Sequence, residues 1–133
     1  MAAVERHTSG GAYEDRVGYC RVIRAGALIV VAGCTASTTD GAIAGVGDTY
    51  AQVRQTVSNV ESALARVGAS LADVVRTRVF LTPEASFDEF ARAHGELFGD
   101  IRPVNTTVVI AALPDPRMLL EIEVDAYLAS ENR

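Results

Sequence analysis

The last apolar run of the chain, LLEIEVDAYL, alternates strictly. On an extended strand Leu120, Ile122, Val124, Ala126 and Leu128 point one way, and Leu119, Glu121, Glu123, Asp125 and Tyr127 point the other. Three carboxylates therefore line one face at a spacing of roughly 6.6 Å, two strand residues apart. That is too wide for all three to hold one metal ion directly. A carboxylate here whose pKa is raised by burial could act as a general base or position water for attack on a C=N bond. Two blander readings stand beside this: a solvated acidic face, or, for Glu121, an interface carboxylate paired with arginine.

A second polar cluster surrounds the segment RPVNTTVVIAAL. A proline opens a β-branched run that reads as a buried strand, with the amide of Asn105 just inside it. Asn105 either hydrogen-bonds a neutral or zwitterionic ligand or satisfies the local backbone. Arg102, three residues earlier, is a solvated loop arginine or a charge that swings in beside Asn105. His94 falls on an apolar helical stripe, the place of a satisfied core or interface histidine more than of a catalytic one. Cys20 and Cys34 both lie in predicted strands. They read as packed free thiols rather than a disulfide framework, although Cys34 could be reactive.

The net charge of −5 and the scatter of the twelve basic residues argue against nucleic acid as the main partner. With two histidines and no CxxC or HxxxH pair, neither a structural zinc nor any other metal site has support. The apolar stretches fall far short of the ~18 residues of a membrane span, and the N-terminus has no apolar core of a secretion signal. The expectation is a single cytoplasmic domain over residues 1–133, with no membrane partner.

These residues need elements to position them. Tyr19–Arg24 and Leu28–Thr35 read as a hairpin turning at Ala25-Gly26-Ala27, the second strand apolar on both faces like a central strand. Asp48 caps a helix whose stripe is Tyr50, Val53, Val57, Val60, Leu64 and Val67, and Gly68 stops it. A strand covers Val74–Leu81, with Arg76, Arg78 and Phe80 on one face. Ser86 and Glu89 form a capping box for a second helix, which Gly99 ends. Strands at Thr106–Leu113 and Leu119–Leu128 follow, with PDPR between them as a hairpin turn. The order β-β-α-β-α-β-β predicts an α+β fold, with two helices on one face of a mostly antiparallel or mixed sheet. The other face, greasy in the middle and acidic at one strand, predicts self-association, with Arg76 and Arg78 meeting the acids of the last strand across the interface. A cleft between subunits would suit a small molecule.

The segments PVNT, VVIAALP and LEIEVDAY, with Gly18-Tyr19, Ala32-Gly33, DVVRTRVFLT and the F-x-x-F-x-x-x-H-x-x-x-F helix, resemble the YjgF/RidA family, also called L-PSP endoribonuclease-like. The resemblance spans nearly the whole chain. It implies a chorismate-mutase-like fold and a homotrimer with clefts at the subunit interfaces. RidA-type members hydrolyse reactive enamines and imines such as 2-aminoacrylate to ammonia and a keto acid, without cofactor. Carried over, Glu121 matches the glutamate that holds the attacking water. Tyr19 matches a cleft tyrosine, and Gly33, Cys34 and Thr35 match the strand bordering the cleft. His94 takes a position that is often aromatic. Two positions depart from the pattern. Asn105 stands where the family has an arginine that grips the substrate carboxylate in a two-pronged pair, and Ala91 stands where an asparagine is expected.

The reading is an interface-cleft enzyme that deaminates or tautomerises an enamine or imine, with Asn105 orienting the ligand. Three alternatives stay open: a pathway-specific enzyme on a larger substrate such as an aminomuconate or a secondary metabolite, a non-catalytic ligand-binding or chaperone-like trimer, and a ribonuclease, which the charge disfavours.

Overall fold

The computed structural model describes residues 3–129. In chain order the elements are β1 (Val4–His7), α1 (Ala12–Val17), β2 (Val22–Ala25), β3 (Leu28–Cys34), α2 (Thr49–Ala65), a 3-10 turn (Leu71–Asp73), β4 (Val74–Leu81), α3 (Phe87–Phe98), β5 (Val104–Val109) and β6 (Leu120–Tyr127). The expected strands and helices are present with shifted ends, and β1 and α1 are additions. The strands form one six-stranded mixed sheet in the order β1-β2-β3-β6-β4-β5. Only β4 and β5 run parallel.

This order corrects the expected last hairpin. β5 and β6 are not neighbours: β6 inserts between β3 and β4, antiparallel to both. Its inward residues Leu120, Ile122, Val124 and Ala126 are fully buried against the helices, which is why it takes the centre. β5 is left at the edge with Val104, Val108 and Val109 exposed, so its β-branched run marks an edge strand rather than a buried one.

The helix signals act locally as expected, with two exceptions. Asp48 accepts a hydrogen bond from Ala51 N at 3.0 Å, and Gly68 leaves the helix in a left-handed conformation, φ +82°. Val53, Val57, Val60 and Leu64 then bury their stripe on the sheet. Ser86 caps α3 by accepting from Glu89 N at 3.2 Å, but the box stays half made. Its own N–H donates to Thr49 Oγ1, 3.0 Å away on α2, and Glu89 pairs with Arg92 instead. The left-handed residue after α3 is Arg102, φ 58°, not Gly99, φ −58°. No described helix is long and apolar enough to cross a membrane.

One buried amide ties the long crossover to the sheet. Gln52, fully buried on α2, donates to Gly45 O (3.2 Å) and Arg117 O (2.8 Å) and accepts from Leu119 N (2.9 Å). Gln52→Leu keeps the volume but strands two carbonyls and an N–H. The expected loss is on the order of 2–4 kcal/mol, read by urea unfolding at fixed protein concentration.

Candidate functional site

The site begins as an irregularity in β3. Val31 faces Val124 of β6 but Cys34 faces Ile122, so three steps on one strand oppose two on the other. Ala32 and Gly33 form a bulge. Glu121 crosses directly over it. A Cβ on Gly33 would stand 2.6 Å from the Glu121 carboxyl carbon and 2.7 Å from Oε2. Only glycine leaves room for the carboxylate to lie on the strand. Glu121 is half-buried, and among the described residues no hydrogen bond or ion pair reaches its carboxylate. Burial, seconded by the charge of Glu123, pushes its pKa up, while Arg21 pulls the other way.

Arg21 closes the other side of the bulge. Its Nη1 donates to Gly33 O at 2.6 Å and to Ala32 O at 3.4 Å. Nε and Nη2 both donate to Glu14 Oε2, at 3.4 and 3.3 Å, and Nη2 also reaches Tyr19 OH at 3.4 Å. The guanidinium lies 5.5 Å from the Tyr19 ring centroid. Glu14 is 2% exposed. Burial works to raise its pKa, but hydrogen bonds from Ser9 N and Oγ, together with Arg21, hold it below the ordinary value. Cys34 sits beneath: burial pushes its thiol up, and Arg21 at 3.7 Å only partly offsets this. Thr35 follows, its carbonyl accepting from Asn59 Nδ2 at 2.9 Å and its hydroxyl 3.3 Å from Ser37 Oγ.

A second cluster lies across the sheet. Thr77 of β4 is fully buried on the helix side, and Asn105 is its register partner on β5. Asn105 Nδ2 donates to Thr77 Oγ1 at 2.9 Å, and Thr107 Oγ1 donates to Asn105 Oδ1 at 2.9 Å. Its recorded partners are thus two threonine side chains, not the local backbone. Thr77 Oγ1 is 3.0 Å from His94 Nε2, and the imidazole lies between Phe90 and Phe98, ring centroids at 5.4 and 4.7 Å. Burial lowers the pKa of His94 and so favours the neutral ring, whose Nε2 shares a hydrogen bond with the Thr77 hydroxyl.

Within one chain the expected residues therefore divide. Tyr19, Gly33, Cys34 and Glu121 converge on Arg21, with Thr35 just beyond the bulge. Asn105 and His94 meet at Thr77, on the opposite face, and Asn105 on β5 is two strand spacings from β6, about 10 Å. Arg102 joins neither cluster; its Nε donates to Gly99 O at 2.8 Å, at the end of α3. Arg76 and Arg78 pair with Asp125 (3.4 Å) and Glu123 (3.1 Å) within the same sheet rather than across an interface, because the β4–β6 register sets them opposite one another. Arg21 and Glu14 escaped the sequence reading. Arg21 stood in an expected strand with nothing to mark its partner, and Glu14 lay in a stretch given no element. Among the described residues no three His, Cys, Asp or Glu side chains converge as a metal set.

Comparison with known proteins places this geometry. The family model described as Endoribonuclease L-PSP matches residues 11–128. A crystal structure of Rv2704 from Mycobacterium tuberculosis, described as a member of the highly conserved YjgF/YER057c/UK114 family, superposes with a TM-score of 0.85 at 42% identity. It covers 95% of this chain and 100% of that one. The uncharacterized protein SCO2049 of Streptomyces coelicolor is 39% identical over 125 residues, 94% of this chain and 92% of its own. A RutC family protein of Pyrococcus abyssi is 31% identical over 109 residues, 82% and 85% of the two chains.

The contact at Gly33 makes two predictions. Gly33→Ala needs no left-handed backbone, and its methyl meets the movable end of a side chain. It should cost about 1 kcal/mol or less in urea unfolding, yet drive the Glu121 carboxyl off the strand. NMR titration should then show the Glu121 midpoint falling toward the ordinary 4.5. The second concerns pH. The folded pKa of Glu121 lies above its unfolded value, so the ionised group costs stability above the folded pKa, and the cost vanishes as pH falls toward 4.5. Glu121→Gln should be more stable than the parent at pH 7, and the difference should disappear below about pH 4.5 in paired denaturation curves.

Proposed function

Because the chain belongs to the L-PSP endoribonuclease family, also called YjgF/RidA, we propose that it is a small-molecule enzyme that hydrolyses or tautomerises an enamine or imine. The observation that carries this reading is Glu121: a half-buried carboxylate with a raised pKa, without a hydrogen bond or ion pair from any described residue, lying on a glycine. Such a group takes a proton from water as the water oxygen bonds to the C=N carbon. The nitrogen gains a proton, and the resulting carbinolamine loses ammonia to leave a carbonyl. For an enamine, one prior proton transfer to carbon gives the imine.

In this reading three copies join so that the helix-free face of one sheet meets the exposed β5 edge of the next. A neighbour's Asn105, at that edge, then reaches the Glu121 group that its own chain cannot reach. Tyr19, Gly33, Cys34 and Thr35 shape the pocket, and His94 acts behind Asn105 by holding Thr77. Asn105 in place of the family arginine argues for a substrate with little carboxylate to grip at that end. Of the nearby cations, Arg21, Arg76 and Arg78 are paired with Glu14, Asp125 and Glu123, while Arg102 is held only through its Nε on Gly99 O. A larger, pathway-specific enamine fits better than 2-aminoacrylate itself. The net charge of −5 speaks against a ribonuclease.

The test is a coupled assay in which a dehydratase generates enamines in situ, with and without a free carboxylate. The protein should accelerate decay of the enamine that lacks the carboxylate more than that of 2-aminoacrylate. Glu121→Gln should lose on the order of 100-fold or more in kcat. Undiminished turnover in that variant would remove Glu121 from the chemistry, and ligand affinity without turnover in the parent would make the chain a binding module.

A further inference from the structure

The Arg21 guanidinium has five N–H donors, and the structure spends them on one construction. Two serve the bulge carbonyls Gly33 O and Ala32 O, and the rest go to Glu14 and Tyr19 OH. Glu14 is in turn fixed by Ser9 through its backbone N–H and its hydroxyl. The chain of contacts therefore runs from the N-terminal segment through α1 to the bulge, and from the bulge to the carboxylate that rests on Gly33. We propose that the buried Glu14–Arg21 pair is the positioning device of the Glu121 site, fixing the bulge on which the carboxylate lies and orienting the Tyr19 ring beside it.

The proposal rests on the reading of Glu121 as the working group, but its geometry stands without any turnover. A free arginine near Glu121 would form an ion pair with it and quench it. Glu14 holds Arg21 back from that role: the cation is close enough to pull on Glu121 and is anchored to the bulge instead. The same saturation prevents Arg21 from serving as a carboxylate grip for a substrate. Arg21 and Glu14 touch no reacting atom and are positioning residues.

The test follows the Glu121 carboxyl by carbon-13 NMR in the full chain, its resonance assigned by its loss in Glu121→Gln. Burial outweighs the pull of Arg21 on Glu121, so freeing the carboxyl from the bulge should lower its midpoint toward the ordinary 4.5 in both Arg21→Gln and Glu14→Gln. Amide exchange at Gly33 and Cys34 should quicken in both, while Val79 in β4 keeps its protection. Loosening of the whole fold would cost Val79 its protection as well; that outcome, or a parental midpoint and parental exchange at Gly33 and Cys34 in folded Arg21→Gln, overturns the proposal. If Arg21→Gln does not fold, Arg21→Lys replaces it. Lysine keeps the charge but cannot span Glu14 and both carbonyls, so bulge exchange should still quicken, and parental exchange rates would overturn the proposal. None of these readouts needs a substrate, so a failed turnover assay leaves this test intact.

Discussion

The contact between Glu121 and Gly33 sets the terms for the rest of the structure. A carboxylate lying on a strand backbone demands a residue without a side chain beneath it, and a methyl group there would stand 2.6 Å from the carboxyl carbon. The bulge at Ala32–Gly33 supplies the place and at the same time frees two carbonyls, which require a donor. Arg21 is that donor, and an arginine so placed requires an anion to balance it, which Glu14 provides. The six-residue helix α1, with no long apolar stripe of its own, persists because it carries Glu14 to that pair.

The sheet order then decides what one chain can and cannot assemble. With β6 at the centre, Glu121 faces away from the helices, while on the helix side Asn105 at the β5 edge and His94 of α3 meet at Thr77. Leu28, Val104, Val108 and Tyr127 are left exposed on strands of this sheet. Exposed apolar residues beside a half-buried acid suit a surface that meets further copies of itself. This is why the proposed cleft takes Glu121 from one copy and Asn105 from the next.

Much of this was legible in the residues. The alternation of LLEIEVDAYL placed Glu121 on the right face, and the stripe from Tyr50 to Val67 placed α2 on the sheet. What failed has physical causes. A parallel β4–β5 pair and an inserted β6 are decisions of long-range packing, and two strands joined by a Pro-rich turn look locally like a hairpin. The β-branched run at Val104–Val109 carries the same signal at an edge as in a core. β1 is four residues of mostly charged sequence that hold together only by pairing with β2. Arg21 was invisible for a different reason: its role depends on carbonyls freed by a bulge, and no side-chain pattern announces a bulge.

The claim on which the functional account depends is that the site is completed between copies of the chain. Multi-angle light scattering on the native protein tests it most directly. The account predicts a mass three times the 14.1 kDa of one chain, unchanged on dilution through the micromolar range. A monomer would contradict it, because Glu121 and Asn105 would then remain on opposite faces of one sheet with no cleft to join them.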